Sequence, residues 1–114
     1  MILLIGAAAS GKRSYIRHLG YADSDIADAV LEDKPILYGL EKLVWACPDA
    51  AMEMLPALLE KELVACCEVG SGIVPLERED RAAREATGRL CIALAERAER
   101  VVRLVAGIPI YIKP

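Results

Sequence analysis

The sequence predicts a three-layer α/β fold, in which helices flank a mainly parallel sheet. Residues 1–5 form a short apolar run that ends at a glycine, which is typical of a buried strand. A second apolar run, Leu63–Cys67, precedes the longest predicted helix, residues 77–97. Two further apolar runs close the chain. Strands that alternate with helices in this order indicate parallel pairing, because each crossover must return the chain to the same edge of the sheet.

The segment between the first two strands predicts short helices. Residues 12–19 are expected to form a helix that ends at Gly20. Residues 23–33 are polar and acidic, and both a short helix and a loop remain open there. Residues 35–46 predict a helix with Pro35 in its first turn. Its apolar face would be Ile36, Leu40, Leu43 and Val44.

Another helix is predicted from residue 48, with a break or kink at Pro56. Its apolar stripe would be Met52, Leu55, Leu58 and Leu59. The long helix 77–97 would bury Ala82, Ala83, Ala86, Leu90, Ala93 and Leu94. Residues 101–106 and 108–112 predict the last strands, and Pro109 indicates that the final one lies at an edge.

Length and composition restrict the function. A chain of 114 residues is expected to form one domain, residues 1–114. Its net charge of −3 argues against a general nucleic-acid binder. The apolar runs are shorter than the roughly 20 residues of a membrane-spanning helix, and no targeting segment is recognised. The four cysteines have no C-x-x-C spacing and the sequence has one histidine, so we expect free thiols in the cytoplasm rather than a zinc site.

The first loop, G-A-A-A-S-G-K-R-S, is almost a nucleotide-binding P-loop, G-x-x-x-x-G-K followed by Ser or Thr. Gly6, Gly11 and Lys12 match, whereas Arg13 replaces the hydroxyl that normally holds Mg²⁺ and Ser14 comes one residue late. Backbone N–H groups and the lysine would still attract phosphate. The alternative is a tightly packed strand-to-helix turn. The predicted phosphate-binding residues are Gly6, Ala7, Ala8, Ala9, Ser10, Gly11, Lys12, Arg13 and Ser14.

A second motif, E-V-G-S-G-I-V-P, begins at Glu68 directly after a predicted strand. A carboxylate at the carboxyl end of a strand, beside a phosphate loop, suits a Mg²⁺ ligand or the base that accepts a hydroxyl proton. The alternative is a glutamate that anchors its loop by accepting from nearby backbone N–H groups. Glu68 and Lys12 are therefore the candidate catalytic residues, and Glu68 is the candidate metal ligand.

Taken together, the motifs resemble the bifunctional adenosylcobinamide kinase / adenosylcobinamide-phosphate guanylyltransferase family. The resemblance rests on G-A-A-A-S-G-K, on E-V-G-S-G-I-V-P with the arginines that follow it, and on the ending V-V-R-L-V-A-G-I-P-I-Y-I-K. These blocks lie within residues 1–14 and 68–113. The arginines are Arg78, Arg81, Arg84 and Arg89, the last of them directly after Gly88.

The resemblance implies a P-loop NTPase-like fold, a symmetric homo-oligomer and a corrinoid substrate. It also implies that GTP or ATP, with Mg²⁺, phosphorylates the cobinamide hydroxyl, and that GMP is then transferred through a guanylylated histidine. Two departures are visible. Arg13 stands where the family has serine, and no histidine lies between the phosphate loop and Glu68 beyond His18, which does not match the family position and is expected on a helix surface.

Three hypotheses follow. The first is a short kinase of this cobalamin-biosynthesis family, with guanylyltransferase activity as an addition that lacks its histidine. The second is a non-catalytic relative that binds nucleotide or supports an assembly. The third, an unrelated small P-loop kinase, is disfavoured by the end of the chain. Arg78, Arg81 and Arg89 would either reach phosphate or form a solvated or interface face.

Overall fold

A computed structural model describes residues 1–68 and 78–114, without the side chains of Arg78 and Glu79. Within that part of the chain, six strands form one sheet in the order β2-β3-β4-β1-β5-β6. The strands are β1 (Ile2–Gly6), β2 (Ile26–Asp28), β3 (Ile36–Tyr38), β4 (Leu63–Cys67), β5 (Arg100–Val105) and β6 (Ile108–Lys113). The first five run parallel and β6 is antiparallel. The predicted α/β class with a mainly parallel sheet is confirmed.

Strand β1 lies at the centre of the sheet. Its first residue, Ile2, is opposite Leu63 of β4 and Arg100 of β5. Its last residue, Gly6, is opposite Cys67 and Leu104. The carboxyl ends of the parallel strands therefore meet at one edge, which is where ligands bind in sheets of this kind.

Helices cover both faces of the sheet. The helices are α1 (Lys12–His18), α2 (Leu40–Ala46), α3 (Leu55–Leu59) and α4 (Arg78–Arg97). Because neighbouring strand residues point to opposite faces, Leu3 packs in the core with α2, α3 and α4, and Leu4 packs with α1 through Ile16. The predicted three layers are present.

The prediction of one helix over residues 35–46 is wrong in its first half. Strand β3 takes Ile36–Tyr38, and α2 begins only at Leu40. Ile36 and Leu37 are both fully buried, but on opposite faces of the sheet. The helical spacing of Ile36 and Leu40 was thus coincidental. Gly39, with φ +75°, provides the sharp change of direction between strand and helix.

Residues 23–33 contain an element that the sequence left open. A 3₁₀ turn, Asp23–Asp25, leads into β2, a strand of three residues with Ile26 and Ala27 buried. So short a strand has no periodic pattern long enough to recognise. Its importance is that it ends at Asp28, on the same edge as the phosphate loop.

The helices downstream follow the sequence more closely. Residues Pro48–Met54 form a 3₁₀ helix and α3 begins at Leu55, so the break predicted at Pro56 is confirmed. Proline fits there because the first turn of a helix needs no N–H donor. In the predicted stripe Leu58 is fully buried, whereas Met52 is 48% exposed.

Helix α4 matches its prediction within one residue, but its buried face is shifted. Ala83, Leu90 and Leu94 are buried as expected, whereas Ala82 is exposed. Thr87 is fully buried instead, and its hydroxyl donates to the carbonyl of Ala83 at 2.8 Å. That bond satisfies the polar group within its own helix.

Strand β6 forms the edge of the sheet, as Pro109 predicted, and lies antiparallel to β5. All three of its isoleucines remain strongly exposed, Ile108 at 65%, Ile110 at 46% and Ile112 at 59%. Among the described residues, helices of the length and apolar character that a membrane span requires are absent.

Candidate functional site

The loop that follows β1 curls back on itself between Gly6 and Lys12. The amide of Ser10 donates to the carbonyl of Ala7 at 3.1 Å. Ala9 and Gly11 have positive φ angles, +59° and +93°. A left-handed conformation suits glycine and strains alanine, so the curl at Ala9 is held by its surroundings.

Lys12 is a buried charged group of this loop with three contacts. Its side chain is only 4% exposed, and its ammonium donates to the carbonyls of Gly6 and Ala7, each at 2.9 Å. The third contact is to the thiol of Cys67, 3.6 Å away at the end of β4. A buried ammonium needs this set of acceptors, and thiol sulfur is the weakest of them.

Two contacts shape the inner wall of the loop. A Cβ atom on Gly6 would overlap the hydroxyl of Ser10, so a larger residue would force the loop or Ser10 to shift. That hydroxyl is buried and has no hydrogen-bond partner among the described residues. The turn between β5 and β6 supports the loop from outside, since the amide of Gly107 donates to the carbonyl of Ser10 at 2.9 Å. The sequence did not indicate this role for Gly107.

Glu68 lies beside the loop, where the sequence placed it. Its amide donates to the carbonyl of Gly6 at 3.1 Å. Its carboxylate pairs with Arg103 of β5 at 2.6 Å and is 24% exposed. The rest of the second motif, residues 69–75, lies outside the described residues, so Glu68 alone represents it here.

A cavity of about 280 Å³ opens next to Glu68 and Arg103. Cys67, Gly88 and Cys91 line it as well. It is slightly smaller than the roughly 300–1,000 Å³ usual for pockets that hold a whole drug-sized ligand.

Cys91 of this cavity contacts the buried Cys66 through its thiol. The hydrogen bond to Cys91, together with burial, raises the pKa of the Cys66 thiol well above its usual range. Cys66 is therefore protonated at neutral pH and is not a nucleophile. All four cysteines are free, with Cys47 exposed at the surface.

The sequence missed a second group of polar residues at the same edge. Asp28 ends β2, Tyr38 ends β3, and Glu41 lies in the first turn of α2. Asp28 accepts from the guanidinium of Arg13 at 3.0 Å, and that guanidinium lies 4.2 Å from the centre of the Tyr38 ring. They were missed because β2 and β3 were not recognised as strands.

Glu41 belongs to the same edge but faces β4. Its carboxylate accepts from the backbone N–H of Cys67 at 2.9 Å. This bond fixes the end of β4 next to the loop, so the role of Glu41 in the site is structural.

Other candidates from the sequence lie at the surface. Arg81 is exposed, and Arg89 is 74% exposed and pairs with Glu85 of its own helix at 3.5 Å. His18, in the last turn of α1, is exposed as expected. The side chain of Arg78 is not among those described. The structure thus places the loop, Lys12, Arg13 and Glu68 at one edge of the sheet. Arg81 and Arg89 belong to a solvent-exposed face of α4.

The described oxygen donors of this edge do not form a cluster that would hold Mg²⁺ by itself, and Glu68 as a metal ligand stays a prediction. Magnesium prefers several oxygen ligands in octahedral geometry. Of the described carboxylates here, Asp28 is paired with Arg13, Glu68 with Arg103, and Glu41 accepts from an amide. Ser14 is exposed. Groups of three or more metal-ligating side chains are not found in the described part of the chain.

Comparison with known proteins identifies the family of this chain. A profile described as cobinamide kinase / cobinamide phosphate guanyltransferase matches residues 26–112. The chain belongs to this family. The match begins after the phosphate loop, so membership in the cobinamide kinase / cobinamide phosphate guanyltransferase family rests on the chain from β2 to β6. The resemblance predicted from the motifs is confirmed.

A curated relative agrees with the family. The bifunctional adenosylcobalamin biosynthesis protein CobP of Pseudomonas aeruginosa is 38% identical over 65 residues. Those residues make up 57% of the present chain and 38% of that protein. The matched stretch thus covers less than half the length of this relative.

Proposed function

We propose that this protein is an adenosylcobinamide kinase, which transfers the γ-phosphoryl group of GTP or ATP to the hydroxyl of the aminopropanol arm of adenosylcobinamide. Family membership supports the substrate class. The observation that carries the proposal is Lys12, a buried ammonium at the end of a curled loop, next to the carboxyl end of β4. Its free thiols agree with a reducing, cytoplasmic setting.

Lys12 is prepared to receive a phosphate oxygen. Two of its N–H groups bind loop carbonyls, and the third contacts the weakly accepting thiol of Cys67. A phosphate oxygen in place of the thiol would exchange a weak bond for a charge-assisted one. Charge on the β- and γ-phosphates would then be stabilised without reorganising the loop, which is the main source of catalysis in phosphoryl transfer.

Glu68 is the candidate base for the substrate hydroxyl. It lies between the loop, through its bond to Gly6, and the cavity that it lines with Arg103. In the proposed step the hydroxyl proton passes to the Glu68 carboxylate and the hydroxyl oxygen bonds to the γ-phosphorus. The bond from that phosphorus to the β-phosphate oxygen breaks, and the nucleoside diphosphate leaves. Arg103 acts as a positioning residue that orients the carboxylate.

We confine the proposal to the kinase reaction. The name of the family also includes guanyl transfer to cobinamide phosphate. The one histidine of this chain, His18, is exposed at the end of α1 and lacks the family position. Guanylyltransferase activity and the non-catalytic alternative are therefore outcomes that the assay must separate.

The test uses GTP and ATP labelled either at the γ- or at the α-phosphorus. Purified protein is incubated with each nucleotide, Mg²⁺ and adenosylcobinamide, and label in the corrinoid is measured after separation. The proposal predicts transfer of γ-label and little transfer of α-label. Transfer of α-label to the phosphorylated product would add the guanylyltransferase activity.

A pair of lysine variants provides the control. Lys12→Met should abolish the transfer, whereas Lys34→Met, which removes an exposed lysine paired with Glu32, should leave it unchanged. Nucleotide binding without any transfer would instead support the non-catalytic relative. Equal activity of the Lys12→Met variant would contradict the proposed role of the loop.

A further inference from the structure

Arg13 is held in a defined position rather than extended into solvent. One amino group of its guanidinium donates to Asp28 at 3.0 Å, and the planar group lies 4.2 Å from the centre of the Tyr38 ring. A carboxylate on one side and an aromatic face on another limit the rotamers of this long side chain. The side chain remains 39% exposed, so it is open to a ligand.

The surroundings of Arg13 carry an excess of positive charge. Asp28 also pairs with Lys42, at 3.6 Å, so a single carboxylate serves two cations. Lys12, the neighbour of Arg13 in sequence, bonds only to neutral acceptors among the described residues. An edge of this kind attracts a polyanion.

Gly39 makes this arrangement possible. A Cβ atom at that position would lie 2.8 Å from a carboxylate oxygen of Asp28, so a larger residue would push Asp28 away from Arg13. The surroundings of the guanidinium are thus set by the ends of β2 and β3 and by the first turn of α1.

The guanidinium has donors to spare for a phosphate. It carries five N–H groups in a fixed fork, and its hydrogen bond to Asp28 uses one of them. Arg13 stands where the loop motif has the hydroxyl that binds Mg²⁺, and the described carboxylates of this edge are already paired. The sequence position that normally supplies a metal ligand therefore carries a positive charge in this chain.

We propose that Arg13, positioned by Asp28 and Tyr38, is a built-in counter-charge for the bound triphosphate, so that the loop binds a nucleoside triphosphate without Mg²⁺. This inference rests on the proposed function, because it assumes that the loop binds phosphate. It goes further because it states that the loop binds a nucleoside triphosphate with an affinity that does not depend on Mg²⁺.

The test is a binding measurement, which needs no catalysis. The affinity for GTP, and for inorganic tripolyphosphate as a probe without the nucleoside, is measured by calorimetry in excess EDTA and in excess Mg²⁺. For the unmodified protein we expect dissociation constants within about threefold of each other in the two conditions. Arg13→Ser should weaken binding in EDTA by about tenfold or more, the loss expected for a charge-assisted hydrogen bond, and Mg²⁺ should restore part of it.

Arg17→Ser is the matched control, since Arg17 lies on the same helix and forms a similar exposed pair with Asp23. It should bind as the unmodified protein does. Asp28→Asn provides a second variant should Arg13→Ser fail to fold. It keeps the guanidinium and removes the charge of the carboxylate that positions it, so binding in EDTA should weaken, and unchanged binding would contradict the positioning role of Asp28.

Two results separate this inference from the proposed function. Binding that strictly requires Mg²⁺, or an Arg13→Ser variant that binds equally well in EDTA, overturns the role of Arg13 and leaves the phosphate loop standing. Absence of binding in both conditions overturns the phosphate loop itself, and the inference with it.

Discussion

Gly6 and Ser10 show how closely the phosphate loop is packed at the scale of single residues. Gly6 is the last residue of β1, and the buried hydroxyl of Ser10 lies where a Cβ of residue 6 would be. Ser10 gains no hydrogen bond from this position among the described residues. The close fit between Gly6 and Ser10, rather than a hydrogen bond of Ser10, therefore explains why these two residues occur together.

Gly6→Ala should destabilise the protein because its methyl group overlaps Ser10. Overpacking of this kind lowers the free energy of unfolding by about 1–3 kcal/mol. Chemical denaturation measures the change. The double variant Gly6→Ala/Ser10→Gly removes the overlapping hydroxyl and should recover much of the loss, although the carbonyl of Leu104, 3.3 Å from the added Cβ, remains close.

Equal stability of Gly6→Ala and the unmodified protein would mean that the loop shifts without strain. Ser10→Ala alone is a useful control. Since it removes a buried hydroxyl without a partner, we expect no loss of stability, and a large loss would show that the hydroxyl has a partner in solution.

At the scale of elements, strand β4 and helix α4 could be predicted from the sequence, whereas strands β2 and β3 could not. Strand β4 matches its apolar run, and α4 matches its periodic pattern within one residue. Strands β2 and β3 have three residues each, too few for a period to appear. Ile36 and Leu37 point to opposite faces of the sheet. This alternation becomes visible only when both neighbouring strands are in place.

Helix α2 is tied to β4 by one hydrogen bond, from the amide of Cys67 to the carboxylate of Glu41. Glu41→Ala would leave a partly buried amide without its acceptor and should lower the free energy of unfolding by about 1–3 kcal/mol. Glu41→Gln retains an acceptor oxygen and should lose less. Denaturation of the two variants side by side gives the comparison.

An equal effect of alanine and glutamine at residue 41 would contradict this assignment. It would mean that the charge of the carboxylate, rather than its bond to the amide of Cys67, holds α2 against β4. A nucleotide-binding measurement on the same variants would show whether the end of β4 also shapes the phosphate loop.

At the scale of the whole molecule, the site is a product of topology. The loop after β1, Asp28 at the end of β2, Tyr38 at the end of β3 and Glu68 after β4 meet because parallel strands end at one edge. The sequence predicted the loop and Glu68, each of which has a recognisable motif. It could not predict Asp28 or Tyr38, since their partner Arg13 was visible only as a departure from the motif.

The homo-oligomer expected from the sequence remains a prediction, and β6 is a surface suited to it. This edge strand exposes Ile108, Ile110 and Ile112. An apolar edge favours pairing with a second copy. Light scattering with size exclusion should give a mass above that of one chain, and Ile108→Lys should shift it towards one chain of 12.3 kDa.

Met52→Lys serves as the control for self-association, because Met52 is an exposed apolar side chain on the 3₁₀ helix before α3. It should leave the mass unchanged. A mass of one chain for the unmodified protein at all concentrations would refute the expected oligomer, and with it the role given to β6.

The most direct test of the central claim is a crystal structure with a non-hydrolysable GTP analogue. We predict the β- and γ-phosphates within the curl of residues 6–12, in contact with the Lys12 ammonium and reached by the guanidinium of Arg13. The contrary result is a nucleotide bound at another surface, with Lys12 still bonded to the carbonyls of Gly6 and Ala7 and to Cys67.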